Sequence, residues 1–349
     1  MSLQVFIAKT LMKLPPDWLV KLSGGAPLEI RGRTLDPYLQ FIAHGASRQP
    51  SITTFEPHIA RDKMETALTG LAPSIEPGVS VEDFNIAAPG HKIPVRLYIP
   101  DEQDSARPLM VYMHMGGGVA GSLETCHVFC ALLAKRTMAP VLSVDYRLAP
   151  EHKFPAGLED GLFAYEWALR NAAKYGAPAG EASIGGDSMG GNFAAIISQE
   201  ICKAQKPTPA LQLLIYPATD IGGDYPSRAD FGDCYPLTTE LMDWFMGQYL
   251  PEGTDVSSVR ISPAREARLE NLPRAIIATA GFDPLVDEGE AYGQHLEGAG
   301  VDVDYVCYDS LFHGFTAFTG VTPAARTACE DIASRVAAAY SVGLQEKVA

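Results

Sequence analysis

Seven short apolar runs recur along the chain with helix-length segments between them, and this alternation constrains the fold more than any other feature. The runs are Val95–Ile99, Pro108–His114, Ala139–Asp145, Ala182–Gly186, Leu211–Tyr216, Arg274–Ala280 and Val303–Tyr308. The helical stretches are Leu158–Tyr175, Gly190–Ala204, Leu285–Ala299 and Ala324–Tyr340. Nearly continuous apolar strands joined by helices predict an α/β fold with a mostly parallel sheet covered on both faces. Residues 1 to about 50 read instead as helical pieces broken by Pro15-Pro16, Gly24-Gly25 and Pro37. Residues 217–260 interrupt the alternation with Pro, Gly and Asp, a Trp244-Phe245 pair and helical spacing from Thr238 to Tyr249. An insertion there lies over the C-terminal strand ends, where ligands bind in such sheets. The expected division is a helical cap of residues 1–50 and 217–260 over a core of residues 51–216 and 261–349.

The chemistry concentrates at strand ends. Gly186-Asp187-Ser188-Met189-Gly190 falls where a strand meets a helix, and two flanking glycines let a tight turn form there without Cβ clashes. Ser188 then projects its Oγ at the sheet edge, above a helix N-terminus that favours developing negative charge. A serine hydroxyl is a weak nucleophile and needs a base that is itself oriented by an acid. His313 follows the last strand and Asp283 follows the one before it, so both fall on the same sheet edge as Ser188. His114-Met115-Gly116-Gly117-Gly118 follows an earlier strand. Consecutive glycines allow backbone N–H groups to converge on one point, as an oxyanion hole requires. No lysine follows these glycines, which argues against a phosphate-binding loop. His114 is expected to brace the turn by hydrogen bonds.

These motifs, in this order, resemble the hormone-sensitive-lipase-like family of α/β-hydrolases, bacterial carboxylesterases with an H-G-G-G signature upstream of G-D-S-A-G. Supporting blocks are Asp145-Tyr146-Arg147-Leu148-Ala149-Pro150-Glu151-His152, Asp283-Pro284-Leu285-Val286-Asp287-Glu288 and His313-Gly314-Phe315. The resemblance covers roughly residues 80 to 340. It implies an α/β-hydrolase fold with a helical cap, Ser188 as nucleophile, His313 as general base and acid, and Asp283 as orienting carboxylate. It also implies that Gly116, Gly117 and Met189 supply the oxyanion N–H groups, with Asp187 in a supporting place beside the nucleophile. Asp287 competes for the acid's role and is read as a structural or capping carboxylate. Three departures stand out: Met115 in place of the first glycine, Gly118 where the family has an aromatic residue, and Met189 in place of alanine. Gly118 predicts a wider pocket with adaptable methionine walls, open to bulkier or branched esters. Asp145, Arg147 and Glu151 are expected to form a charge network that shapes the loop under the site.

Composition narrows the remaining classes. The 349 residues carry 27 Lys plus Arg against 42 Asp plus Glu, a net charge of −15 that repels phosphate backbones and anionic lipids. Nucleic acid is therefore excluded as a partner. No stretch reaches the ~20 apolar residues that span a bilayer. Met1–Val20 lacks a secretory signal's continuous apolar region and reads as an amphipathic helix packed on the protein. Six scattered cysteines fit an intracellular chain. Cys126 and Cys130 bracket His127 but have no second pair at zinc-like spacing, so buried thiols are expected and no metal or organic cofactor. The sequence thus describes a cytoplasmic serine carboxylesterase for a small-molecule ester of short to medium chain or aryl type, and leaves a homodimer open. A lipase, amidase or lactonase on the same residues, or a ligand-binding member of the fold, are the alternatives.

Overall fold

The computed structural model describes residues 10–348. Helix α1 (Pro16–Leu22) is followed by a short hairpin of β1 (Glu29–Ile30) and β2 (Arg33–Thr34), then α2 (Pro37–Ala46) and α3 (Pro57–Thr69). Two long strands, β3 (Val79–Ala88) and β4 (His91–Pro100), lead into the alternating part. There β5 (Leu109–Met113), α4 (His127–Thr137), β6 (Val141–Val144), α5 (Ala156–Asn171), β7 (Ala182–Asp187), α6 (Met189–Lys203) and β8 (Gln212–Ile215) follow in turn. After the insertion, which carries α7 (Pro226–Asp230) and α8 (Thr239–Tyr249), come β9 (Ala275–Phe282), α9 (Val286–Gly298), β10 (Val303–Phe312) and α10 (Pro323–Val348). One eight-stranded sheet results, in the order β10-β9-β8-β7-β5-β6-β4-β3.

Strands β5 to β10 run parallel, as their composition predicts. Every residue of β5, β7, β8 and β9 is buried, so these strands carry mostly apolar or small side chains on both faces rather than alternating. Helix α6 buries Phe193, Ile196 and Ile197 against the sheet, each such large side chain being worth about 1.5–3 kcal/mol.

Two elements depart from the sequence reading. The run Val95–Ile99 belongs to β4, which is antiparallel to both β3 and β6. Its partner β3 has no apolar run to announce it: Ser80, Val81, Glu82 and Asp83 are exposed in succession, and charge on an outer strand is what blunts an edge against further pairing. The second is α4, whose buried Phe129, Cys130, Leu133 and Ala134 cover the sheet and complete the crossover from β5 to β6. Cys126 and Cys130, the pair around His127, are both buried free thiols. Among the described residues no helix is long and apolar enough to cross a membrane. The expected amphipathic helix over Met1–Val20 lies partly outside the described residues.

Candidate active site

Strand β7 ends at Asp187 and α6 begins at Met189, so Ser188 carries the whole change of direction. Its backbone adopts φ 55°, ψ −116°, a region L-residues rarely enter. A Cβ on Gly186 would stand 2.4 Å from the Gly190 carbonyl carbon, and one on Gly190 only 2.0 Å from the Met113 oxygen. Both glycines are therefore required by close approach: the turn and β5 touch backbone to backbone. The Ser188 N–H donates to Ile215 O at 2.9 Å, fixing the strained residue to β8.

Three side chains from the ends of β7, β9 and β10 meet there. His313 Nε2 lies 2.9 Å from Ser188 Oγ, and His313 Nδ1 lies 2.7 Å from Asp283 Oδ2. Asp283 is fully buried and its Oδ1 accepts the Leu285 N–H at 2.8 Å, which fixes the carboxylate in the plane it offers to His313. With Nδ1 donating to the carboxylate, Nε2 is free to accept a proton from the serine. Asp287 does not compete for this place. It takes a two-pronged contact from Arg31 at 2.8 and 3.1 Å and the Ser227 N–H at 2.8 Å, joining the β1–β2 hairpin to α7 and α9.

Gly116, Gly117 and Gly118 all have positive φ, at 125°, 65° and 72°. None of the N–H groups of Gly116, Gly117 and Met189 has a hydrogen-bond acceptor among the described residues, and all three residues line one cavity with Ser188 and His313. His114 sits beneath the turn. Its Nδ1 donates to Met115 O at 2.7 Å, its ring stacks on Tyr146 with centroids 4.2 Å apart, and complete burial pushes its pKa down to about 4. Asp187, also fully buried and held above its ordinary pKa by that burial, accepts from Tyr216 Oη at 2.9 Å and Thr316 Oγ1 at 3.0 Å. Tyr216 in turn packs on the His313 ring, so Asp187 ties the serine turn to the histidine loop.

Two expectations fail here. Gly118 does not open the pocket: a Cβ there would meet the Tyr249 ring at 2.6 Å, and Tyr249 of α8 already fills the space a local side chain would have taken. Asp145, Arg147 and Glu151 do not join in one network. Arg147 pairs with Asp160 of α5 at 2.8 Å, Glu151 with Arg61 of α3, and Asp145 stands 3.9 Å from His114 Nε2. The partners lie outside the block, 13 residues on for Arg147 and 90 residues back for Glu151, so the local block does not encode their approach.

The cavity over Ser188 has a volume of about 240 Å3. Five methionines of the described residues line it: Met64, Met115, Met189, Met242 and Met246. Two were visible in the motifs; Met64 from α3 and the α8 pair carry no local signal. Leu237, Leu241 and Phe245 add to the apolar side, and among the described residues none before Met64 contributes. Arg228 is the cavity's cation. Its Nη2 donates to Asp220 O and to the fully buried Glu288, whose burial raises its pKa to about 7.

The chain's relatives agree with this architecture. A family model for the alpha/beta hydrolase fold matches residues 110–317. The carboxylic ester hydrolase LipN of Mycobacterium tuberculosis is 39% identical over 84% of this chain and 80% of its own length. An ethyl acetate hydrolase of Pseudomonas putida is 34% identical, covering 80% and 90% respectively. Among solved structures, a hyperthermophilic esterase from Pyrobaculum calidifontis superposes with a TM-score of 0.80 at 36% identity, over 86% of this chain and 96% of that one. An α/β-hydrolase enzyme from the metagenome of Lake Arreo gives 0.82 at 36%, over 86% and 95%. With its sheet order, its serine turn and these relatives, the chain belongs to the hormone-sensitive-lipase-like family of α/β-hydrolases, a family of carboxylic ester hydrolases.

Proposed function

We propose that the protein hydrolyses neutral carboxylic esters of short to medium chain or aryl type through an acyl-enzyme on Ser188. The observation that carries this reading is the continuous hydrogen-bonded line from Ser188 through His313 to Asp283, opening into a cavity lined by three residues with unengaged N–H groups. In the first half-reaction Ser188 Oγ forms a bond to the ester carbonyl carbon while its proton passes to His313 Nε2. The carbonyl oxygen becomes an oxyanion, which the N–H groups of Gly116, Gly117 and Met189 receive. Collapse breaks the bond to the alcohol, which leaves with the proton from His313. Water then attacks the acyl-enzyme with His313 again as base, and the acid product leaves. Asp283 holds the imidazole tautomer and offsets its positive charge without taking the proton.

The cavity supports the choice of substrate. Its volume of about 240 Å3 exceeds the roughly 150 Å3 apolar cavity that accepts benzene in another protein, so an aryl group or a chain of several carbons fits. Flexible methionines adapt to either shape, and the net charge of −15 disfavours anionic esters. Among the described residues, the 217–260 insertion and α3 supply the cover we assign to this cavity. Neither metal nor organic cofactor enters the chemistry. A cytoplasmic location fits the six free cysteines.

The test is direct. Purified protein should hydrolyse p-nitrophenyl acetate and butyrate and take up one fluorophosphonate label, and Ser188→Ala should abolish both. Hydrolysis that survives Ser188→Ala would overturn the mechanism.

A further inference from the structure

The helix that covers the cavity also rests on the glycine turn. Phe245 and Tyr249 stand one turn apart on α8, the spacing that puts two side chains on one helix face, and both are buried. A Cβ on Gly117 would lie 2.3 Å from Cγ of Phe245, and one on Gly118 2.6 Å from Cδ2 of Tyr249. Each ring therefore occupies the space above one glycine, at a distance no larger residue would permit. The Tyr249 ring is anchored on its other side. Tyr249 packs edge-on against Phe154 and at a tilt against Phe193 of α6, the helix that starts at the nucleophile turn. Its carbonyl accepts the Phe154 N–H at 2.9 Å, while the Gly118 carbonyl accepts the Ala149 N–H at 2.9 Å.

We infer that Phe245 and Tyr249 are positioning residues for the oxyanion hole, clamping the glycine turn so that the Gly116 and Gly117 N–H groups hold their place opposite Met189. The inference rests on the reading of this site as a serine esterase. A run of three glycines with positive φ has many accessible backbone states when unsupported, and stabilising an oxyanion needs donors fixed before the reaction. Two flat rings, one over Gly117 and one over Gly118, supply that fixity from outside the turn. Leu241, Met242 and Met246 of the same helix line the cavity, so the element that contacts the substrate also sets the donors.

The test separates positioning from pocket shape. Phe245→Leu and Tyr249→Leu keep apolar bulk but lose the flat faces. They should lower kcat about tenfold or more, by the same factor on p-nitrophenyl acetate, butyrate and octanoate, within the 10²–10³ that a whole donor is worth. Affinity for an alkyl boronic acid, which mimics the tetrahedral intermediate, should fall by that same factor with KM little changed. Tyr249→Phe keeps the ring and should restore wild-type kcat. Should a leucine variant not fold, Phe245→Met and Tyr249→Met give the same readout. Unchanged boronate affinity with altered acyl-length preference would overturn the inference and leave the rings as cavity wall. Wild-type protein with no esterase activity and no fluorophosphonate labelling is a different failure, that of the function itself.

Discussion

Ser188 offers a measurement of what the active-site turn costs the fold. At φ 55°, ψ −116°, a non-glycine residue is strained by about 1–3 kcal/mol. Its side chain makes no helix-capping hydrogen bond, so backbone conformation and the contact with His313 are the terms a substitution changes. Ser188→Ala removes the 2.9 Å bond to His313, worth about 0.5–1.5 kcal/mol, and leaves the strain in place. Ser188→Gly removes the same bond and relieves the strain, at a cost of about 0.4–1 kcal/mol in unfolded-chain entropy. The glycine variant should therefore be the more stable of the two by roughly 0.5–2 kcal/mol. This reverses the usual order, since glycine in a helix or strand is normally the weaker choice. A β-branched residue is worse placed still at positive φ, so Ser188→Val should fall below alanine. The assay is the midpoint of guanidinium unfolding with matched slopes, a chain this long being insensitive in thermal midpoint. All three variants should lose more than about 10⁴ in kcat. Alanine equal to or more stable than glycine would mean the turn stores no strain.

Other expectations follow from single contacts. His114, buried with its pKa lowered from 6.5 to about 4, stays neutral in the fold while the unfolded chain takes up a proton. Its contribution is thus fully present above pH 6.5 and is lost as pH falls towards 4, about 3 kcal/mol in all; His114→Asn should flatten that part of a stability–pH curve, and an unchanged slope would refute the assignment. Gly118→Phe should clash with Tyr249, costing about 1–3 kcal/mol and lowering activity on acetate and bulky esters alike in a p-nitrophenyl ester panel. Asp283→Asn should drop kcat by about 10⁴ in the same assay. Asp287→Asn, whose target pairs with Arg31 instead, should keep kcat within about tenfold and lose on the order of 1 kcal/mol of stability.

What could be read in the sequence, and what could not, divides by how far apart the interacting residues are. Ser188, Asp283 and His313 each stand within a few residues of a strand's end, and β7, β9 and β10 all run parallel. Chain order and strand direction then suffice to bring the three to one edge, so the hydrogen-bonded line among them was legible without coordinates. Strand β3 was not, because an outer strand is selected for charge rather than for the apolar run that marks a buried one. The cavity's cover was legible only in outline. Residues 217–260 betray themselves by interrupting the alternation, whereas Met64 and Leu68 reach the cavity from α3, inside a segment that reads as core. Gly118 shows the physical reason most plainly. A glycine reports the volume its own side chain lacks, but interiors pack to the density of organic crystals. Whether that volume stays open depends on every element able to reach it. Here α8 reaches it, and Tyr249 puts the missing ring against the turn from the opposite side. The same reasoning applies to Gly117 and Phe245, so two glycines that suggest looseness in the sequence mark a tightly covered stretch of the site.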